Sequence, residues 1–286
     1  MERRSEPDGT LAAPAAPPRE MGRAIVVTSG KGGVGKTTTT ANVGAALAAR
    51  GHRVALIDAD VGLRNLDLVL GLESRVRYHL LDVLDERVTL DEALVRDKRS
   101  ENLYLLAAAQ TREKEDVDTE KMIALVRSLQ ARFDYVLIDC PAGIETGFKN
   151  AIAGAGHAIV VCTPEVSAVR DADRVVGLLP PSWRPQLIVN RLRPTLVKRG
   201  KMLSVEDVDA ILRLPILGTI ADEPNVIVST NKGEPLAWNE SSATGAAYRA
   251  IAAKLAGDDA VPPPPVPKAA APGFLGRLGS LFGGRS

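Results

Sequence analysis

Gly30, Gly35, Lys36 and Thr37 stand at the fixed places of the pattern G-x-x-x-x-G-K-[ST]. The chemistry this spacing serves is the holding of a phosphate chain. The glycines let backbone N–H groups of Lys31, Gly32, Gly33 and Val34 converge on phosphate oxygens, and a helix opening at Lys36 turns its positive end toward them. Lys36 would reach the β- and γ-phosphates, the Thr37 hydroxyl would ligate Mg²⁺, and Thr38 continues the cradle. The apolar run Ala24-Ile25-Val26-Val27 before the loop and the helix-like Thr38–Arg50 after it supply the strand–loop–helix context the pattern needs. A second lysine, Lys31, opens the loop and is not required by the pattern.

Acidic residues at strand ends are the next candidates, because open α/β sheets bind ligands at the carboxyl ends of their strands. The run Arg53–Asp58 ends in Asp58, with Asp60 two residues on, and Tyr135-Val136-Leu137-Ile138 ends in Asp139. Beside a phosphate loop, Asp139 reads as the acid that holds Mg²⁺, usually through water. It is followed by Pro141-Ala142-Gly143, a segment able to move when a γ-phosphate arrives or leaves.

These residues need a scaffold, and the chain supplies one. Short apolar runs at Ala24–Ser29, Arg53–Asp58, Leu103–Ala107, Tyr135–Asp139, Ala158–Cys162, Leu187–Asn190 and Leu217–Ile220 predict strands. Helices are expected between them, at Lys36–Arg50, Asp118–Arg132, Asp171–Leu179 and Ser204–Leu212, with a last one at Thr244–Leu255. The alternation predicts an α/β fold, doubly wound, with a mostly parallel sheet flanked by helices. Residues 1–22, rich in Pro, Ala and charge, read as a disordered tail, 23–257 as the phosphate-loop domain, and 258–272 as a stiff Pro/Ala-rich linker. A net charge of +1 gives no reason to expect nucleic acid. The two cysteines, Cys140 and Cys162, form no disulfide framework, the three histidines are scattered, and no apolar run approaches a membrane span or a signal peptide. A cytoplasmic location is expected.

The loop Lys31-Gly32-Gly33-Val34-Gly35-Lys36-Thr37-Thr38 resembles the deviant phosphate loop of the MinD/ParA ATPases. Asp58–Leu68, Arg99–Leu106, Asp139–Glu145 and Pro164–Asp171 are similar to the branch of that family that places the division septum. The resemblance runs from about Arg23 to Leu255 and resumes in the final residues. It implies a slow, switch-type ATPase with ATP and Mg²⁺ as cofactors and an ATP-dependent homodimer in which Lys31 reaches the partner subunit's nucleotide. It further implies that Asp60 orients the attacking water, that Asp58 supports the Mg²⁺ shell, and that Asn190, with Arg191 beside it, reads the adenine. Asp171 and Asp173 would lie on the helix face where the division inhibitor MinC and the regulator MinE compete. A DNA-segregation ATPase of the ParA type and a flagellar-number ATPase are the alternative readings. Two segments depart from the family pattern: Cys140 stands where serine is common, and Ala221-Asp222-Glu223-Pro224 differs from the proline-acid-acid order.

The chain ends in Gly273–Ser286, where Phe274, Leu275, Leu278, Leu281 and Phe282 fall on one stripe of a helix. With Arg277 and Arg285 this reads as an amphipathic helix for an anionic membrane surface, and it resembles the family's membrane-targeting sequence. Full burial of the five apolar side chains would contribute roughly 7–15 kcal/mol, of which ordering and partial burial remove most. Gly276 and Gly279 each cost about 1 kcal/mol in a helix, and each arginine returns about 1 kcal/mol near anionic lipid. One tail should bind weakly, whereas two on a dimer gain by effective concentration. The protein is therefore expected on the inner face of the cell membrane only when dimeric.

Overall fold

In the computed structural model of the protein, residues 20–110, 117–144 and 146–258 are described. The N-terminal residues 1–19 and the C-terminal helix expected at 273–286, with its membrane-facing residues, lie outside them.

The strands are β1 (Arg23–Thr28), β2 (Val54–Asp58), β3 (Val95–Arg96), β4 (Leu103–Leu106), β5 (Tyr135–Asp139), β6 (His157–Cys162), β7 (Gln186–Leu192) and β8 (Ile216–Ala221). They form one sheet in the order β3-β4-β2-β5-β1-β6-β7-β8. Every neighbouring pair is parallel except β3 with β4. The sheet is doubly wound, as the alternation predicts, and the winding reverses around β1, which lies between β5 and β6. A crevice at the carboxyl end of β1 follows from that reversal, and the phosphate loop leaves β1 there.

Both faces of the sheet are covered, so the strands are apolar throughout rather than alternating. In β1, Ala24 and Val26 join one core while Ile25 and Val27 join the other. The first core receives α5 (Thr119–Gln130), α6 (Thr146–Ala153), α7 (Val166–Leu178) and α9 (Val205–Leu212). The second receives α1 (Lys36–Ala49), α2 (Leu66–Leu70) and α11 (Ala243–Leu255). Small residues let α1 lie close: a Cβ on Gly44 would come within 2.6 Å of Leu56. After α1, Gly51 turns the chain at φ +89°, the left-handed conformation glycine tolerates best.

The sequence reading misses the short elements. The helices α3 (Leu80–Leu84), α4 (Leu90–Ala93) and α8 (Pro194–Lys198), with α2 and β3, carry too few turns to show a period, α10 (Asn225–Lys232) buries no residue and so has no apolar stripe, and α6 also goes unpredicted. It also starts α7 late. The helix begins at Val166 rather than Asp171, because Ala168, Val169, Ala172 and Val175 already form the buried stripe. At the other end of the domain, Gly22 belongs to the fold rather than to the tail. Its N–H donates to the Gln130 carbonyl at 2.8 Å and its carbonyl accepts from Gln130 Nε2 at 2.7 Å. Among the described residues no helix is long and apolar enough to cross a membrane.

Candidate functional site

The phosphate loop occupies the turn between β1 and α1. Two of its glycines take left-handed backbone, Gly33 at φ +77° and Gly35 at φ +97°, which is what bends the N–H groups inward. The Ser29 hydroxyl donates to the Lys31 carbonyl at 2.8 Å and closes the loop's first turn. Gly35 has a second constraint, since a Cβ there would lie 2.4 Å from Asn190 Nδ2. Lys36 is buried at the mouth of α1, with Thr37 and Thr38 half-buried behind it.

Asp58 and Asp139 meet as register partners at the ends of β2 and β5. Both are buried. Burial pushes Asp139 up to about 8, with the Asp58 charge adding to it, while the Thr37 hydroxyl and Lys36 pull the other way. Burial likewise pushes Asp58 up to about 6, against backbone N–H groups of Leu66, Asp60 and Asn65 that favour its charge. Two carboxylates that repel one another in a dry site, beside a threonine hydroxyl, form the oxygen donor set a Mg²⁺ ion prefers. The residues fit the ion. Thr40, which the sequence reading did not single out, points its hydroxyl at the Asp139 carboxylate at 3.4 Å and at the Lys36 carbonyl at 3.0 Å. Asp60 follows Asp58 by two residues and its N–H donates to the Asp58 carboxylate at 3.0 Å.

Cys140 is a packing residue. Burial pushes its thiol up to about 12, its N–H donates to the Val27 carbonyl at 3.1 Å, and its side chain sits in the first core. Such a thiol stays protonated and unreactive at neutral pH.

On the other side of the loop, β7 ends in an irregularity between Val189 and Leu192. The shift turns Asn190 inward and leaves Arg191 exposed at φ +56°. Asn190 Nδ2 donates to the Val34 carbonyl at 2.7 Å, and its Oδ1 accepts the Arg191 N–H at 2.9 Å. A cleft of about 400 Å³ opens beside it, lined by Gly35, Thr38, Asn190, Arg191 and residues Ala221 to Pro224. The segment that departs from the family pattern thus walls the same cleft as Asn190.

Lys31 differs from Lys36 in burial. It is exposed on the rim of the loop, and its Nζ lies 3.7 Å from Glu165 Oε2.

Residues 22–178 match a family described as an AAA domain. The septum site-determining protein MinD of Synechocystis sp. is 58% identical over 242 residues, covering 84% of this chain and 91% of that protein. This chain belongs to the MinD family. The MinC:MinD cell division complex of Aquifex aeolicus superposes with a TM-score of 0.78 at 46% identity, over 87% of this chain and 100% of the compared one. MinD of Pyrococcus horikoshii, complexed with Mg-ADP, gives 0.74 at 31% identity, over 82% and 96%. Like its MinD relatives, the chain is an ATPase of cell division and septum placement.

Of the residues expected to meet a partner of MinD, Asp173 is exposed on α7 and Asp171 is half-buried. Asp171 does more than face outward. A Cβ on Gly30 would lie 2.1 Å from its backbone carbonyl, so α7 rests directly on the first glycine of the phosphate loop. Glu165, Thr40 and this backbone contact went unread in the sequence. Only the fold brings them to the loop, although an acid just ahead of α7 is a signal for Glu165.

Proposed function

We propose that this chain is a nucleotide-switched membrane ATPase that dimerises on ATP, recruits MinC to the membrane surface, and is released when MinE stimulates hydrolysis. The observation that carries the reading is the contrast between the two lysines. Lys36 is buried against the loop and committed to its own nucleotide, whereas Lys31 stands on the rim in an exposed ion pair. A cation in that position serves a triphosphate delivered across an interface, as an arginine finger serves a partner's nucleotide.

In this reading the loop N–H groups and Lys36 bind the phosphates, and Asn190 with Arg191 reads the base in the adjoining cleft. Thr37, Asp58 and Asp139 hold Mg²⁺, which when bound neutralises developing charge on the phosphates. Asp60 orients the attacking water, and Lys31 of the second subunit closes the site against solvent. Asp171 and Asp173 form the face for MinC and MinE. The Aquifex MinC:MinD complex supports MinC as a partner. The Pyrococcus Mg-ADP complex supports the nucleotide and the ion. The terminal stripe Phe274, Leu275, Arg277, Leu278, Leu281 and Phe282 supplies the lipid contact. Light scattering on the full chain tests the dimer step: ATP with Mg²⁺ should double the mass and ADP should not. A mass indifferent to nucleotide would sink the switch.

A further inference from the structure

The stretch that begins Arg99-Ser100-Glu101-Asn102 has no part in the site as described, yet its first residue pins two helices that border that site. Arg99 Nη2 donates to the Leu70 carbonyl at 2.5 Å and to the Gly233 carbonyl at 2.9 Å. Leu70 is the last residue of α2 and Gly233 caps α10, so the guanidinium satisfies carbonyls that two helix ends leave without partners. Asp97 aims it. The Asp97 side chain is wholly buried, accepts the Arg99 N–H at 2.6 Å and pairs with Nη2 at 3.5 Å.

The two helix ends also touch without side chains between them. Gly71 and Gly233 are both left-handed, at φ +64° and +62°. A Cβ on Gly71 would lie 2.8 Å from the Gly233 carbonyl oxygen, and one on Gly233 would lie 2.3 Å from the Gly71 Cα. This contact has no slack, because backbone meets backbone and neither residue has a rotamer to yield.

The far ends of α2 and α10 lead to opposite sides of the nucleotide site. Asp58 Oδ2 accepts the N–H groups of Asn65 and Leu66, each at 3.1 Å, and so holds the start of α2. Pro224, Val226 and Ile227, at the start of α10, line the cleft beside Asn190. We infer that Arg99 is a positioning residue that couples the wall of the base cleft to the Asp58 carboxylate through α2 and α10. This rests on the reading of Asp58 as part of the Mg²⁺ shell and of the cleft as the base site. An α2 of five residues is only about 7.5 Å long, so in this proposal a base that sets α10 also sets Asp58 for the ion. By reciprocity Mg²⁺ then tightens nucleotide binding by more than its own phosphate contacts supply.

Calorimetric titration of the full chain with ADP, with and without Mg²⁺, tests the coupling. Wild type should bind ADP more tightly with Mg²⁺. Arg99→Gln should lose about five-fold or more of that gain while its Mg²⁺-free affinity stays within about two-fold. Arg99→Lys keeps a cation but not the fork, and should fall between the two. A merely structural role would weaken ADP equally with and without the ion. That result, or an Arg99→Gln protein with the full gain, would overturn the inference. Where Arg99→Gln fails to fold, Arg99→Lys decides: a reduced gain supports the coupling and an undiminished one refutes it. A wild type with no Mg²⁺ gain at all would refute the reading of Asp58 itself, and the relay with it.

Discussion

Lys31 and Glu165 form an ion pair at 3.7 Å in which both side chains remain about half exposed, at 46% and 54%. A pair so open to water contributes at most about 1 kcal/mol. It therefore parks the lysine without holding it. Glu165→Gln should free Lys31 and tighten the ATP dimer by about five-fold or less, read by sedimentation equilibrium. Lys31→Ala should abolish the dimer while leaving each subunit able to bind ATP. A Glu165→Gln protein that dimerises less well would show that the carboxylate is part of the interface.

Lys36 and Asp60 should separate binding from turnover. Lys36→Ala removes a buried cation from the phosphate site and should weaken ATP by about 2–5 kcal/mol in a direct binding titration. Asp60→Ala should keep ATP-dependent dimers and lose roughly a hundredfold or more of stimulated turnover. Normal turnover in that variant would remove Asp60 as the water-orienting group.

Asp139 makes the nucleotide-free protein sensitive to pH. Its carboxyl is raised in the folded state to about 8 by burial and by Asp58. The fold thus binds a proton that the unfolded chain has already lost, and its stability falls as pH rises from the ordinary carboxylate range toward about 8. Asp139→Asn removes the buried charge. Without Mg²⁺ and nucleotide it should unfold at a higher temperature than wild type near the top of that window, with the difference shrinking as pH falls. A difference that does not change with pH would place the charge of Asp139 elsewhere in the balance.

The acids of α7 are expected to act at the surface. Asp173 is exposed, so Asp173→Ala should change stability by no more than about 0.5 kcal/mol and leave basal ATP hydrolysis unchanged. Capture of MinC should nonetheless fall about tenfold or more in a pull-down with ATP, as expected of a truncated interface residue. Undiminished capture by Asp173→Ala and by Asp171→Ala would move the MinC face off this helix.

Much of this was legible in the chain because the signals are local. The phosphate loop and the acids after apolar runs each sit within a dozen residues, and each long strand or helix of the alternation shows its own short pattern. What stayed hidden is made of long-range backbone contacts. Arg99 meets Gly233 across 134 positions, and the group it grips is a carbonyl, which every residue carries. Gly30 touches the backbone of Asp171, and Asn190 binds the Val34 carbonyl, for the same reason without a side-chain signature. The five-residue α2 shows no period, although the N–H groups at its start are what the Asp58 carboxylate accepts.

The central proposal is a membrane affinity governed by nucleotide, and co-sedimentation with anionic vesicles measures it directly. The intact chain should pellet with vesicles in ATP and stay in the supernatant in ADP. Lys31→Ala, and a chain ending before Gly273, should stay in the supernatant with either nucleotide. Equal pelleting of the intact chain in ATP and ADP, or pelleting of Lys31→Ala in ATP, would contradict it.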